Sequence, residues 1–293
     1  MTTTERVQAD GSAESQRGGA PGALRRGRPV RWQSIALPAW LAGLIGGVGI
    51  IILWWVIAAV YVAPTGARPI PTPFEVVASY AESGWEFYWR NFSVTLAEAG
   101  IGYLWGNGIA LILAGIVLVV PRLEGVAMQL AIITYCIPIV AVGMLAIVMI
   151  PFPKPGEPSG TAVLLAALSV FFTTVVGALL GLKSADRTSL DLIAVYGGGR
   201  LAQLVKVRLI AALPAILGAL QIAVPAAFLG AVLGEFFGKI ETGVGIAMTL
   251  AQQGSNAPVV WALALASGAV ALVGFALVGA IARAVAPWSK GAA

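Results

Sequence analysis

Histidine occurs nowhere in these 293 residues. Its absence removes Ser-His dyads, histidine metal sites and histidine proton relays together. Cysteine occurs once, as Cys136. A single thiol forms no disulfide within the chain and builds no cysteine-rich metal site. Lying inside an apolar run, Cys136 reads as a small buried hydrophobe. Charge is scarce too. Asp, Glu, Lys and Arg make up 11% of the residues, against roughly 25% in an ordinary soluble domain. That deficit is too large for a water-soluble surface. It argues against a soluble enzyme, a disordered protein and a free nucleic-acid binder. A phosphate-binding loop, Gly-x-x-x-x-Gly-Lys-[Ser/Thr], is also missing. Gly177 to Ser184 comes nearest, but Leu182 stands where a glycine must precede Lys183.

What the chain has is apolar surface. Hydrophobic residues make up 59%, and mean hydropathy is +0.90. The expectation is an all-α polytopic membrane protein. Six apolar runs cover about 35–62, 93–119, 125–150, 161–182, 213–238 and 258–282. Each is long enough to cross ~30 Å of hydrocarbon. A single segment does so only as a helix, because every backbone polar group must be satisfied internally. Residues 1–34 read as a disordered basic tail, and 286–293 as a second short tail. The run at 35–62 is too long for the apolar core of a signal peptide.

The basic residues are distributed unevenly. With both termini in the cytoplasm, fourteen of the eighteen Lys and Arg fall on the cytoplasmic side. The other four are Arg68, Arg90, Lys154 and Lys239. The positive-inside rule therefore favours six spans in the plasma membrane with cytoplasmic termini. Trp54, Trp55, Tyr61, Trp85, Tyr88, Trp89 and Trp288 sit near span ends, as interfacial aromatics do. The pairs Gly43/Gly47, Gly102/Gly106, Gly177/Gly181 and Gly230/Gly234 have the small-xxx-small spacing that lets helix backbones approach.

Four residues inside the spans stand out. Glu235 and Glu98 are carboxylates where charge is costly. Each either pairs with Arg or Lys of a neighbouring helix or lines a path. Pro138 and Pro225 remove backbone hydrogen bonds and can bend the third and fifth spans.

One internal loop, 183–212, is long enough to hold its own structure. Asp186 or Thr188 can cap a short helix over about 188–196. Gly197, Gly198 and Gly199 stop it. An amphipathic helix then runs from Arg200 toward Leu213-Pro214, with Leu201, Leu204 and Val205 on one face.

This loop resembles the coupling loop of binding-protein-dependent ABC importer permeases. Asp191 stands at that motif's Glu position and Gly197 at its Gly. Leu192 and Ile193 replace two alanines, and Leu213-Pro214 keeps the closing Leu-Pro. Ile210 stands where an earlier proline is common. Further elements fall in family order: Ile70-Pro71-Thr72-Pro73, Ser93-Val94-Thr95-Leu96, Ile137-Pro138, Gly234-Glu235 and Gly243-Val244-Gly245. The likeness covers about 35–285 and is nearest the branch that imports nitrate, sulfonates and taurine.

The resemblance implies a type I ABC importer fold of six transmembrane helices with a cytoplasmic coupling-helix loop. It implies a transport subunit and not an enzyme, with no cofactor of its own. ATP and Mg would sit on a partner ATPase. The partners would be two ATP-binding subunits, an extracytoplasmic solute-binding protein, a second permease copy as a homodimer, and membrane lipid, with no nucleic acid. Asp191, Ile193, Gly197, Leu201, Leu204, Leu213 and Pro214 would couple to the ATPase. Pro138, Glu235, Gly243 and Gly245 would belong to the path or gate. The solute would be a sulfonate, nitrate, taurine or a vitamin precursor. The competing reading is an ion-coupled secondary transporter, which usually carries intramembrane carboxylates or histidines and often an inverted repeat.

Overall fold

The computed structural model describes residues 38–61, 68–154, 157–238 and 240–288. The basic tail, Lys239, Lys290 and most of the 286–293 tail lie outside the described residues. Contacts divide the chain into residues 1–47 and 48–293, and all packing below lies within the second unit.

The described residues are all-α. Helix α1 (Ala39–Val60) is uniformly apolar and largely exposed, as a helix facing lipid would be. Helix α2 (Pro73–Val119) begins with a capping box. Thr72 Oγ1 accepts from the Glu75 N–H, Glu75 accepts from the Thr72 N–H at 2.7 Å, and Pro73 fills the first helical position. Gly84, at φ +73°, breaks α2. No proline follows before Val119, so the helix runs on from the break and starts well before residue 93.

The third apolar run is not one straight helix. Helix α3 (Glu124–Cys136) and helix α4 (Ile139–Met149) meet at 87°. Pro138 donates no N–H and holds Ile137 extended, at φ −70° and ψ 124°. The halves are roughly 20 and 16 Å long, so neither crosses a bilayer alone. Cys136 is exposed at the end of α3. The expectation of a buried thiol fails because the break withdraws the packing a continuous helix would have supplied.

Helix α5 (Gly160–Lys183) leads into α6 (Arg187–Val195), capped by the Asp186 carboxylate on the Ser189 N–H at 3.2 Å. The second loop helix does not end at Leu213-Pro214. Helix α7 (Arg200–Gln203), a π-turn over Leu204–Arg208 and helix α8 (Leu209–Phe237) continue as one 38-residue stretch. Pro214 and Pro225 both lie inside α8. Each removes one backbone bond, a loss that the packing of α8 on α5 and α10 outweighs. Helix α9 (Val244–Gln253), which the periodicity did not announce, precedes α10 (Ala257–Val285).

Helices α1, α2, α5, 200–237 and α10 are each long and apolar enough to span, and the bent pair makes a sixth candidate. Helix α5 packs against both α2 and α8. Glycine permits this closeness. A Cβ at Gly102 would lie 2.7 Å from Val163 O, at Gly181 2.9 Å from Ala212 O, and at Gly230 2.7 Å from Leu165 O. Three of the four small-xxx-small pairs are thus used inside the chain. Thr174 Oγ1 donating to Asn107 Oδ1 adds a buried clamp between α2 and α5.

Candidate functional site

Three places bring the singled-out residues together. The first is where α8 ends. Glu235 is 0% exposed. Its carboxylate accepts from the Thr95 hydroxyl and from the Gly245 N–H, both at 2.5 Å. Thr95 Oγ1 in turn accepts the Val244 N–H at 2.9 Å, and Asn91 Oδ1 accepts the Gly243 N–H at 3.1 Å. The start of α9, whose first N–H groups have no helical partner, is thereby held by side chains of α2 and α8. Gly243 sits at φ +148°, and a Cβ there would lie 2.5 Å from Glu235 Cδ. A Cβ at Gly245 would fall 2.5 Å from Val232 O. The Gly-Val-Gly spacing exists because this turn folds directly over a carboxylate.

Glu98 is also 0% exposed. Its Oε1 accepts the Ser159 N–H at 2.7 Å, tying α2 to the start of α5. Its carboxyl comes close enough to Glu235 to interact with it, and Oε2 has no hydrogen-bond donor among the described residues. No Lys or Arg pairs with either acid among the described residues. The ion pair expected for a carboxylate in a span is replaced by neutral donors, the usual alternative for a buried polar group. Buried as it is, Glu235 lines no open path in this conformation. Asn91, Thr95 and Glu98 follow at i, i+4 and i+7 on one face of α2. That polar stripe is visible in the sequence, yet its partners are not.

Thr95→Val is expected to orphan the Val244 N–H and one oxygen of Glu235. The cost is about 1–3 kcal/mol per group left unsatisfied. Thr95→Ser keeps the hydroxyl and should unfold near the parent. Thermal unfolding of the detergent-solubilised protein compares the two.

The second place is the loop between α5 and α8, at the opposite end of α8 from Glu235. Gly197 takes φ +78°, which permits the reversal between α6 and α7. Gly198 is needed as well, since a Cβ there would meet Ile193 Cγ2 at 2.5 Å. Gln203 Nε2 donates to Leu190 O at 3.1 Å and ties α7 back to α6. Ser184 Oγ shares its one hydrogen between Gly181 O at 2.7 Å and Ala211 O at 3.1 Å, joining α5 to α8. Lys183 pairs with Glu124 at 2.5 Å. Asp191 and Leu201 are exposed, whereas Ile193, Leu204, Leu213 and Pro214 are half-buried and support the loop from within. The protruding apolar tip is Val195, Tyr196 and Leu201, at 83%, 83% and 72% exposed. Val195 and Tyr196 escaped the sequence reading because they fall beside the glycine turn, where helical periodicity gives no guidance.

The third place is the break at Ile137-Pro138. It walls a cavity that Ser169 of α5 and Leu229 and Leu233 of α8 also line.

Residues 106–290 match the family described as the binding-protein-dependent transport system inner membrane component. The chain belongs to this family. The permease is similar to a probable ABC transporter permease protein of Haemophilus influenzae, 30% identical over 204 residues, covering 69% of this chain and 79% of that one. A putative aliphatic sulfonates transport permease protein of Bacillus subtilis is 29% identical over 226 residues, covering 76% and 78%. A formylaminopyrimidine transport permease protein of Halalkalibacterium halodurans is 24% identical over 221 residues, covering 75% and 86%. The permease is thus a multi-pass, all-α membrane component of an ABC transport system. Membership of that family implies work with an ATPase and a solute-binding protein.

Proposed function

We propose that this permease forms the solute path of an ATP-driven importer and couples it, through the loop at 183–212, to a separate ATPase. The observation that carries this reading is the apolar tip Val195-Tyr196-Leu201, raised on a braced glycine turn with Arg187, Arg200 and Lys206 nearby in sequence. A short helix pair presenting apolar side chains beside basic ones fits a groove on a soluble partner. In this reading two permease copies meet two ATP-binding subunits in the plasma membrane, with the loop and both termini in the cytoplasm. An extracytoplasmic binding protein delivers a small solute such as a sulfonate, nitrate, taurine or a vitamin precursor. Asp191, Ile193, Gly197, Leu201, Leu204, Leu213 and Pro214 shape the coupling loop. Glu235, Gly243 and Gly245 hold one end of the path, and Pro138 shapes its middle. ATP and Mg act on the partner. The family match favours this over an ion-coupled secondary transporter.

Tyr196→Cys, in a Cys136→Ser background, is expected to cross-link to a co-purifying ATP-binding subunit when a short bifunctional thiol reagent is added. Glu82→Cys in the same background lies in the segment of α2 before Gly84, on the opposite side in this reading, and should give no such product. Equal products from both positions would remove the loop from its assigned place.

A further inference from the structure

The bend between α3 and α4 leaves backbone polar groups without helical partners in one of the most apolar parts of the chain. The Ile137 N–H reaches Ile133 O at 3.1 Å, and the Ala141 and Val142 N–H groups reach Pro138 O at 2.9 and 3.2 Å. Among the described residues, no hydrogen bond reaches the carbonyls of Thr134, Tyr135 or Cys136, or leaves the N–H groups of Ile139 and Val140. At membrane depth such groups persist only inside protein or beside a water-filled cavity.

A cavity of about 480 Å³ is found there, walled by the chain from Thr134 to Ile139 together with Ser169 of α5 and Leu229 of α8. That volume lies within the range of small-molecule sites. Its depth follows from its neighbours. Ser169 lies near the middle of α5, and Tyr135 stacks on Phe172 with ring centroids 4.5 Å apart. No residue lining the cavity carries a charge. An anion placed there would meet no Lys or Arg. The free Ile139 and Val140 N–H groups at the start of α4 would attract it, but the unpaired carbonyls of Thr134, Tyr135 and Cys136 beside them would repel it, at a depth where charge is costly. What the walls do offer is neutral: carbonyl acceptors, N–H donors, hydroxyls, and a Tyr135 ring that is 69% exposed. A flat ring bearing amide or amine edges uses both kinds of hydrogen bond and an aromatic face.

We propose that this break is where the solute contacts the permease in transit, and that it takes an uncharged, planar heterocycle with amide or amine edges and not a sulfonate or nitrate. The proposal rests on the importer reading above and narrows its solute.

Cys136, the only thiol, lies in the cavity wall and serves as the reporter. The experiment uses the full transporter purified with its ATPase, with Cys136→Ser as the labelling blank. A charged, membrane-impermeant methanethiosulfonate should modify Cys136. A neutral aminopyrimidine at ten times its Kd should slow that reaction about tenfold by mass action. Methanesulfonate at the same concentration should leave the rate unchanged. Protection by methanesulfonate equal to or greater than that by the pyrimidine overturns the solute class. Labelling that neither probe slows overturns the break as a contact site. An unreactive Cys136 in complexes that hydrolyse ATP overturns its place in the path. Failure of any ATP-binding subunit to co-purify would instead count against the importer reading, independently of the thiol.

Discussion

Gly243→Ala is expected to destabilise the permease by about 2–6 kcal/mol and to abolish solute uptake. Two independent effects add. A backbone at φ +148° is essentially reserved for glycine, and forcing an L side chain into such a region costs on the order of 1–3 kcal/mol. The new methyl would also lie 2.5 Å from Glu235 Cδ and 2.7 Å from both carboxylate oxygens. Overpacking of that kind typically costs about 1–3 kcal/mol. The turn must then move, and with it the Gly243, Val244 and Gly245 N–H groups lose their acceptors. Glu235→Ala should itself destabilise by stranding the Thr95 hydroxyl and the Gly245 N–H. The double variant should cost less than the two singles summed, because the overlap is then gone. Strict additivity in thermal unfolding would show that the glycine and the carboxylate do not act on one another.

Gly197→Asp is expected to uncouple the permease without unfolding it. A Cβ at this position meets nothing within 4 Å. The strain comes from φ +78° alone, about 1–2 kcal/mol for most residues and less for Asp, and it falls on an exposed loop. The carboxylate, however, adds a negative charge beside Tyr196 and tilts the reversal that presents Val195, Tyr196 and Leu201. Insertion and thermal midpoint should stay close to the parent. Solute-stimulated ATP hydrolysis by the assembled complex should be lost. Gly198→Val tests the same turn from inside, because its side chain would press on Ile193 Cγ2. A Gly197→Asp permease that still stimulates ATP hydrolysis would take the coupling role away from this loop.

The helical class and the apolar runs were legible because bilayer thickness and backbone saturation permit few alternatives. The coupling loop was legible in outline, since Asp186 and three successive glycines punctuate it. Its continuity with α8 was not. Pro214 reads as a stop, and nothing local announces that packing on α5 carries the helix through it. The break at Pro138 was foreseen as a bend, but its 87° angle depends on how α4 lies against α5 and α8. The Glu235 site was half legible. The acid and the two glycines stood out, whereas Thr95, 140 residues from Glu235, and Asn91, 152 residues from Gly243, supply the bonds that hold the acid and the glycine turn to α2.

The uninterrupted helical stretch from Arg200 to Phe237 has a mechanical consequence. At about 1.5 Å per residue it is a strut of roughly 57 Å, with the exposed tip just ahead of one end and the Glu235 clasp at the other. A pivot of about 5° about one end of such a strut carries the far end by about 5 Å, a full helical turn's rise. Hydrogen bonds of 2.5 Å do not survive a relative displacement of that size. The clasp must therefore either travel with the strut or open, and the same helix that offers the handle also bears the latch.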